Sequence, residues 1–341
     1  MPQDGESIGR SRRARCCNEF HAAVIVTIVA LLSAVCGGAH AQAGYPSKPI
    51  RLVVGFAAGG PTDIIARVLG AKLSDLLGQQ IVIENRAGAS GNIATETVAR
   101  APNDGYTLLM APLANAVNET MFKNLRYKFD EHLVPVAAVA ETANVLVVHP
   151  SLDAKSVSEL IALAKAKPGE IFYATAGRGT ATHLTGELFN LMAGTKLVAV
   201  HYKGGGETIK DLISGQVKVM FSTIPPVLGL IKDGSLRALA TTASKRDAAL
   251  PELPTIAESG LAGFDMRLWI GLAAPAGTPS EIVDRLSSTT AQALRATEVK
   301  STLAAQGFEP MIASAAQFGD FYRREVAKWA DVIRATGISS E

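Results

Sequence analysis

Val54-Gly55-Phe56-Ala57-Ala58-Gly59-Gly60-Pro61-Thr62-Asp63 is the stretch on which the reading of this chain turns. Upstream of it, Ile50–Phe56 is an apolar run of strand length. Downstream, Ile64, Ile65, Val68, Leu69, Leu73, Leu76 and Leu77 fall on one face of a helix. Pro61 suits a first helical turn, where its missing amide hydrogen would have no partner. Glycines let backbone amides come close to a ligand, and the start of a helix favours negative charge. The spacing approaches that of a phosphate-binding loop, G-x-x-x-x-G-K-[ST], but Pro61 stands where the lysine is required. A nucleotide is therefore disfavoured, and a smaller anion such as a carboxylate is well suited. A tight turn leading into a capped helix would leave the same pattern, so this loop alone leaves both readings open.

The alternation of strand and helix continues along the chain. Ile81–Glu84, Tyr106–Met110, Val134–Val139, Val145–His149, Ile171–Ala174, Leu197–Tyr202, Val217–Phe221 and Leu236–Thr241 read as strands, with a strand pair near Met266–Ala274. Helices are expected over Asn92–Arg100 and Ser156–Lys167, and near Ala181, Glu207 and Val227. Two long helices close the chain, opened by Thr278-x-x-Glu281 and Ser314-x-x-Gln317. Near-continuous apolar strands separated by helices predict an α/β fold of mainly parallel sheets covered on both faces. In such sheets a ligand sits beyond the carboxyl ends of the strands.

Three more strand-to-helix junctions carry candidate binding groups. Thr175-Ala176-Gly177-Arg178-Gly179-Thr180-Ala181-Thr182-His183 places Thr180, Thr182 and His183 around a helix start, a compact donor cluster for an anion. His183 and Glu187 share a helical face, but no further ligand stands near and no H-E-x-x-H exists, which disfavours a metal. His201-Tyr202-Lys203-Gly204-Gly205-Gly206-Glu207 offers Tyr202 as a wall with one hydroxyl, and Gly204 and Gly205 as amides. Ser222-Thr223 offers two hydroxyls at a strand end before Pro225-Pro226. A capping threonine, a solvent-facing histidine and a plain helix start are the bland alternatives.

The chain has 341 residues, 48% of them hydrophobic, with 33 Lys+Arg against 31 Asp+Glu. That is ample apolar material for a core and too little basic excess for a nucleic-acid binder. The length favours two domains. Arg10, Arg12, Arg13 and Arg15 precede an apolar run over Ala22–Val35, too short to span a membrane, and small residues ending Ala39-His40-Ala41 and Ala41-Gln42-Ala43 follow. Residues 1–43 are therefore expected to be a signal peptide, removed on export. Cys16, Cys17 and Cys36 all leave with it, so the mature protein has no disulfide and no thiolate. No G-x-S-x-G elbow is present, and His132, His149, His183 and His201 show no catalytic spacing. The pattern suits a monomer that holds a small anion without transforming it, with no cofactor and no metal.

At these loops the chain resembles the periplasmic solute-binding proteins of tripartite tricarboxylate transporters, the Bug family. The resemblance rests on Tyr45-Pro46-Ser47-Lys48-Pro49-Ile50, the Val54–Asp63 loop, Glu84-Asn85-Arg86-Ala87-Gly88-Ala89-Ser90-Gly91-Asn92-Ile93 and Pro102-Asn103-Asp104-Gly105-Tyr106-Thr107-Leu108. It continues through the Gly-x-Gly-Thr-x-x-His loop, Tyr202-Lys203-Gly204-Gly205, Leu236-Arg237-Ala238-Leu239-Ala240 and Ala274-Pro275-Ala276-Gly277-Thr278-Pro279. It implies a two-lobed type II periplasmic-binding-protein fold that closes over its ligand. Lobe 1 would be residues 44–143 with 265–341, and lobe 2 residues 144–264. By resemblance a ligand carboxylate is pinned between Phe56, Ala58, Gly60, Thr62 and Asp63 of one lobe and Thr180, Thr182 and His183 of the other, with waters bridging the first loop. Tyr202, Gly204, Gly205 and Ser222 would shape specificity, and membrane permease subunits would be the partner.

Two departures from relatives bear on the ligand. Ala111-Pro112-Leu113-Ala114-Asn115 is more apolar than the Ser/Thr-rich loop expected, and Ser222 stands where many relatives place an acidic residue. The expected ligand is a mono- or dicarboxylate without a cationic amine. A sensor that passes its ligand-bound form to a signalling protein would carry the same motifs. An exported enzyme acting on an organic acid would need a perturbed acid–base pair, and His183 with Glu187 is the pair on offer.

Overall fold

The computed structural model describes residues 44–202 and 205–338, with residues 205 and 206 described as backbone; the expected signal peptide, residues 1–43, lies outside the described residues. The fold lies within the unit Lys48–Glu341. The first apolar run forms strand β1 (Ile50–Val54), with Leu52, Val53 and Val54 fully buried. Helix α1 (Pro61–Leu77) follows, buries Ile65, Leu69 and Leu73, and ends at the left-handed Gly78. Then come β2 (Ile81–Asn85), a 3₁₀ turn (Ala89–Gly91), α2 (Asn92–Ala99), β3 (Thr107–Pro112), α3 (Leu113–Met121) and α4 (Phe129–His132).

Strand β4 (Leu133–Val148) runs for 16 residues. The sequence pattern suggests two strands here, broken near Glu141-Thr142. The chain stays extended because Arg267 takes both oxygens of Glu141, at 2.9 and 2.8 Å, so the charge does not force a loop. The second half continues through α5 (Val157–Ala166), β5 (Phe172–Thr175), α6 (Ala181–Ala193), β6 (Val198–His201), α7 (Gly205–Ile213), β7 (Val219–Thr223), α8 (Pro225–Lys232) and β8 (Arg237–Thr241). The chain ends with β9 (Arg267–Pro275), α9 (Ser280–Arg295), α10 (Thr297–Ala305), β10 (Glu309–Ala313) and α11 (Ala315–Thr336). The expected strand pair near Met266 is thus one strand, buried from Trp269 to Pro275. The closing helices are interrupted by extended Ala296 and by β10.

Helix starts follow the sequence signals unevenly. Ser314 and Gln317 form the full reciprocal box at α11. At α5, Ser156 accepts from the Glu159 amide, but the Glu159 carboxylate turns to the amide of Lys155. Thr278 does not cap α9: its hydroxyl donates to the Pro275 carbonyl at 2.7 Å, and Pro279 occupies the cap position.

The sheet order is β2-β1-β3-β9-β4-β7-β5-β6, with β10 and β8 also on β4. The parallel pairs are β1–β2, β1–β3, β5–β6 and β5–β7. Every antiparallel pair involves β4 or β9, so the sheet is mixed at its centre. This follows from β4, which pairs with β9 as far as Ala143 and with β7 from Asn144 onward.

The registers place the two parallel groups end to end. Pro112 closes β3 opposite Ile270, and Ile270 lies opposite Ala140 of β4. Thr223 closes β7 opposite Asn144 of β4. Strands β3 and β4 run one way and β7 runs the other. The carboxyl ends of both groups are therefore directed toward each other along Ala140–Asn144, four residue steps of about 3.3 Å, roughly 13 Å of strand.

The two chain crossings beside this gap are tied by Thr242. Its amide and hydroxyl bond the Asn144 carbonyl and amide at 2.9 and 2.8 Å. Its hydroxyl and carbonyl bond the Met266 carbonyl and amide at 2.7 and 2.8 Å. Among the described residues no helix is long and apolar enough to cross a membrane.

Candidate functional site

The first rim is the loop from β1 to α1. Its cap residue, Gly60, has no side chain to cap with, and Pro61 carries no amide hydrogen, so the first-turn amides of Thr62 and Asp63 are left without helical partners. The buried Asp63 does not offer its carboxylate to the opening. Oδ2 accepts from the Gly59 amide at 2.8 Å and from Arg67 Nε at 2.9 Å; Oδ1 accepts from Arg67 Nη2 at 3.0 Å and Asn85 Nδ2 at 2.9 Å. Arg67 above all, with Gly59 and Asn85, holds the Asp63 carboxyl down at about 2 against the cost of burial. Asn85 also donates to the Phe56 carbonyl at 3.1 Å. Asp63 is thus the knot that shapes the loop, leaving Ala58 exposed at its tip and Gly60 and Thr62 at the helix start.

Phe56 braces the same loop from the other side. Its ring packs on Gly91, where a side chain would sit 3.3 Å away, and Gly55 is so close to the Gly91 backbone that a β-carbon would come within 2.7 Å. The 3₁₀ turn there is left-handed at Ala89 and Ser90. It is held by Asn118, which donates to the Ser90 carbonyl and to Asn92.

The second rim is the loop from β5 to α6, and it is bonded mainly to itself. Thr180 donates to the Gly177 carbonyl at 2.7 Å, and Thr182 accepts the Ala176 amide at 3.0 Å. The two hydroxyls lie 3.0 Å apart, so the Thr182 hydrogen is directed at Thr180. Both hydroxyls, expected to meet a ligand, are spent on the shape of the loop. What remains outward is backbone: Thr180 occupies the cap position but makes no capping bond, which leaves the amides of Thr182 and His183 open.

His183 is buried beneath this turn and accepts the Gly179 amide through Nδ1 at 3.0 Å. Burial first, then His201 and Arg178, push it down to about 4, so it is a neutral acceptor. Its ring packs edge-on to His201 at 4.7 Å, and His201 Nδ1 meets the Thr175 hydroxyl at 2.8 Å. Glu187, raised by burial, lies 3.8 Å from His183 and accepts from Tyr173 at 2.7 Å. Among the described residues no cluster suits a metal ion.

The registers of β4 direct the strand ends that carry these two rims toward Ala140–Asn144, and Met121 at the end of α3 reaches Gly179. A β-carbon on Gly179 would lie 2.6 Å from the Met121 methyl. The other expected residues sit differently. Tyr202 gives its hydroxyl to Asp211 at 2.9 Å and is pushed up to about 12, chiefly by burial. Ser222 lies inside β7, buried, and donates to the Thr223 carbonyl. Gly205 starts α7, and Gly204 lies outside the described residues.

Sequence reading missed Arg67, Asn85 and Met121, although the four-residue spacing of Asp63 and Arg67 was a usable signal for an ion pair. It also missed Asn144, buried where β4 passes from β9 to β7. Its side-chain Nδ2 donates to the Thr185 hydroxyl of α6 at 3.1 Å, while its side-chain Oδ1 has no partner among the described residues.

Comparison with known proteins agrees with this architecture. A family model described as tripartite tricarboxylate transporter family receptor matches residues 65–338. Protein BugT of Bordetella pertussis is 42% identical over 297 residues, covering 86% of this chain and 90% of its own length. The solved structure of R. palustris Rpa4515 with adipate is 38% identical at a TM-score of 0.74, over 86% of this chain and 99% of that one. MatC from Rhodopseudomonas palustris with bound malate is 32% identical at a TM-score of 0.70, over 85% of this chain and 100% of that one.

Proposed function

Because this chain belongs to the tripartite tricarboxylate transporter receptor family, we propose that it captures a small carboxylate in the opening between its two rims and delivers it to a membrane permease of that transporter type. Receptors of this family are periplasmic binding proteins and not enzymes. Export would use residues 1–43 as a signal peptide. The lobes would be residues 44–143 with 265–341 and residues 144–264, closing on the ligand.

One observation supports the reading: two helix starts with uncapped amides, at Thr62–Asp63 and Thr182–His183, follow strands of the two parallel groups, whose carboxyl ends are directed toward Ala140–Asn144. Each supplies convergent N–H donors and positive dipole character, which fit a carboxylate held without covalent chemistry. The adipate and malate of the two solved relatives are of this chemical class. A ligand without a cationic amine is supported by the rims themselves. Such an amine needs an anionic partner, and the Asp63 carboxylate is already satisfied by Arg67, Asn85 and Gly59.

The test is mass spectrometry of small molecules released from the purified protein, followed by calorimetry with each candidate. One carboxylate bound per chain and recovered unaltered is expected. Product formation, or tight binding of amino acids in preference to plain carboxylates, would overturn the reading.

A further inference from the structure

The charges on the two rims leave one group unaccounted for. Residues 55–63 and 175–183 contain three ionisable side chains: Asp63, Arg178 and His183. Asp63 is neutralised by Arg67 at 2.9 Å. His183 is a neutral acceptor bonded to Gly179. Arg178 is exposed, and among the described residues no carboxylate or carbonyl pairs with it. The loop presents it from both sides, with left-handed Gly177 (φ 133) and Gly179 (φ 73) as neighbours that add no side chain. Gly179 itself meets Met121 of α3, so the backbone of Arg178 adjoins that contact. Burial depresses both His183 and His201, and the Arg178 charge adds to it in each.

Resting on the carboxylate-receptor reading above, we propose that Arg178 is a specificity-determining residue that pairs with a second carboxylate of the ligand, so the preferred ligand is a dicarboxylate. The open amides at Thr182–His183 and Thr62–Asp63 suit one negative head, held by backbone dipoles and lacking a full countercharge. A second negative group brought into the opening loses hydration and needs a full cation. The guanidinium fork of Arg178 supplies it with two parallel N–H bonds. A monocarboxylate would bring Arg178 no second carboxylate.

The experiment is calorimetry on the full mature protein with the C4–C8 aliphatic dicarboxylates and the monocarboxylates of equal length, plus terephthalate and benzoate. Wild type is compared with Arg178→Gln and Arg178→Lys. Wild type should favour the dicarboxylate of the best-bound pair. Arg178→Gln should lose about 10- to 100-fold for that dicarboxylate and leave its monocarboxylate within about two-fold. Arg178→Lys should recover part of the loss, since it keeps the charge but not the fork. Unchanged dicarboxylate affinity in Arg178→Gln, an equal loss for both members of the pair, or a wild-type preference for monocarboxylates would overturn the inference and leave the receptor reading standing. Binding of none of these acids by wild type would overturn both.

Discussion

His183 Nδ1 accepts the amide hydrogen of Gly179 across 3.0 Å, which fixes the ring proton on Nε2 and makes a buried histidine part of the backbone of the second rim. The neutral form is required, and His183 is depressed to about 4, chiefly by burial. A histidine whose folded value lies below its unfolded value of about 6.5 contributes stability above that value. The contribution is lost as pH falls from about 6.5 to about 4. Asparagine at this position keeps an acceptor near Nδ1 and does not titrate. The melting temperature of wild type relative to His183→Asn should therefore fall between pH 7 and pH 4. Glu187 lies 3.8 Å from the ring and is itself raised by burial, so the comparison is repeated in a Glu187→Gln background. A constant difference would show that the bond does not depend on the neutral ring.

Asp63 should behave as a structural carboxylate of the first rim. Removing it in Asp63→Ala strands the Gly59 amide and frees Arg67 and Asn85. A loss of roughly 1–3 kcal/mol is expected in chemical denaturation, along with weaker ligand binding. Since Asp63 is lowered to about 2, the wild-type advantage should be complete above about pH 4 and fade as pH falls towards 2.

Thr182→Val keeps the shape of the side chain but removes the acceptor of the Ala176 amide. Stability should drop by roughly 0.5–1.5 kcal/mol. Ligand affinity should weaken through a loosened loop rather than a lost ligand bond. Amide hydrogen exchange at Ala176–Gly179 should accelerate in this variant, and unchanged protection would argue against the assignment.

Gly186→Ala probes the contact between α6 and β5. The added methyl would lie 2.2 Å from the Tyr173 ring, which is fully buried and bonded to Glu187. Overpacking of this kind costs roughly 1–3 kcal/mol, more than the helix-forming gain of alanine. Urea denaturation should show a net loss, and a stabilised variant would mean the ring can move aside.

The sequence reading located the two rims because each is announced by local chemistry: an apolar run, a glycine-rich turn and a helical stripe. Position along the chain was legible; the direction of side chains was not. Thr180 and Thr182 were read as ligand donors, but nothing local reveals that Ala176 and Gly177 would claim them first. Tyr202 and Ser222 are similar cases, since their partners, Asp211 and Thr223, are set by the packing of α7 and the pleat of β7. The length of β4 was hidden by Glu141, whose countercharge, Arg267, comes from a strand 126 positions away. The mixed sheet was hidden for the same reason, because register between distant strands leaves no trace in a single segment.

A continuous β4 also limits how the molecule can flex. From Leu133 to Ala143 the strand is laced to β9, and from Asn144 to Val148 to β7 and β8. Shear between the two half-sheets would tear one ladder or the other. Twist concentrated where the lacing changes hands, around Asn144 and its Thr242 tie, breaks the fewest bonds. If the receptor closes as proposed, that point is where a pivot costs least, and stiffening it should slow the seizure and the surrender of its cargo.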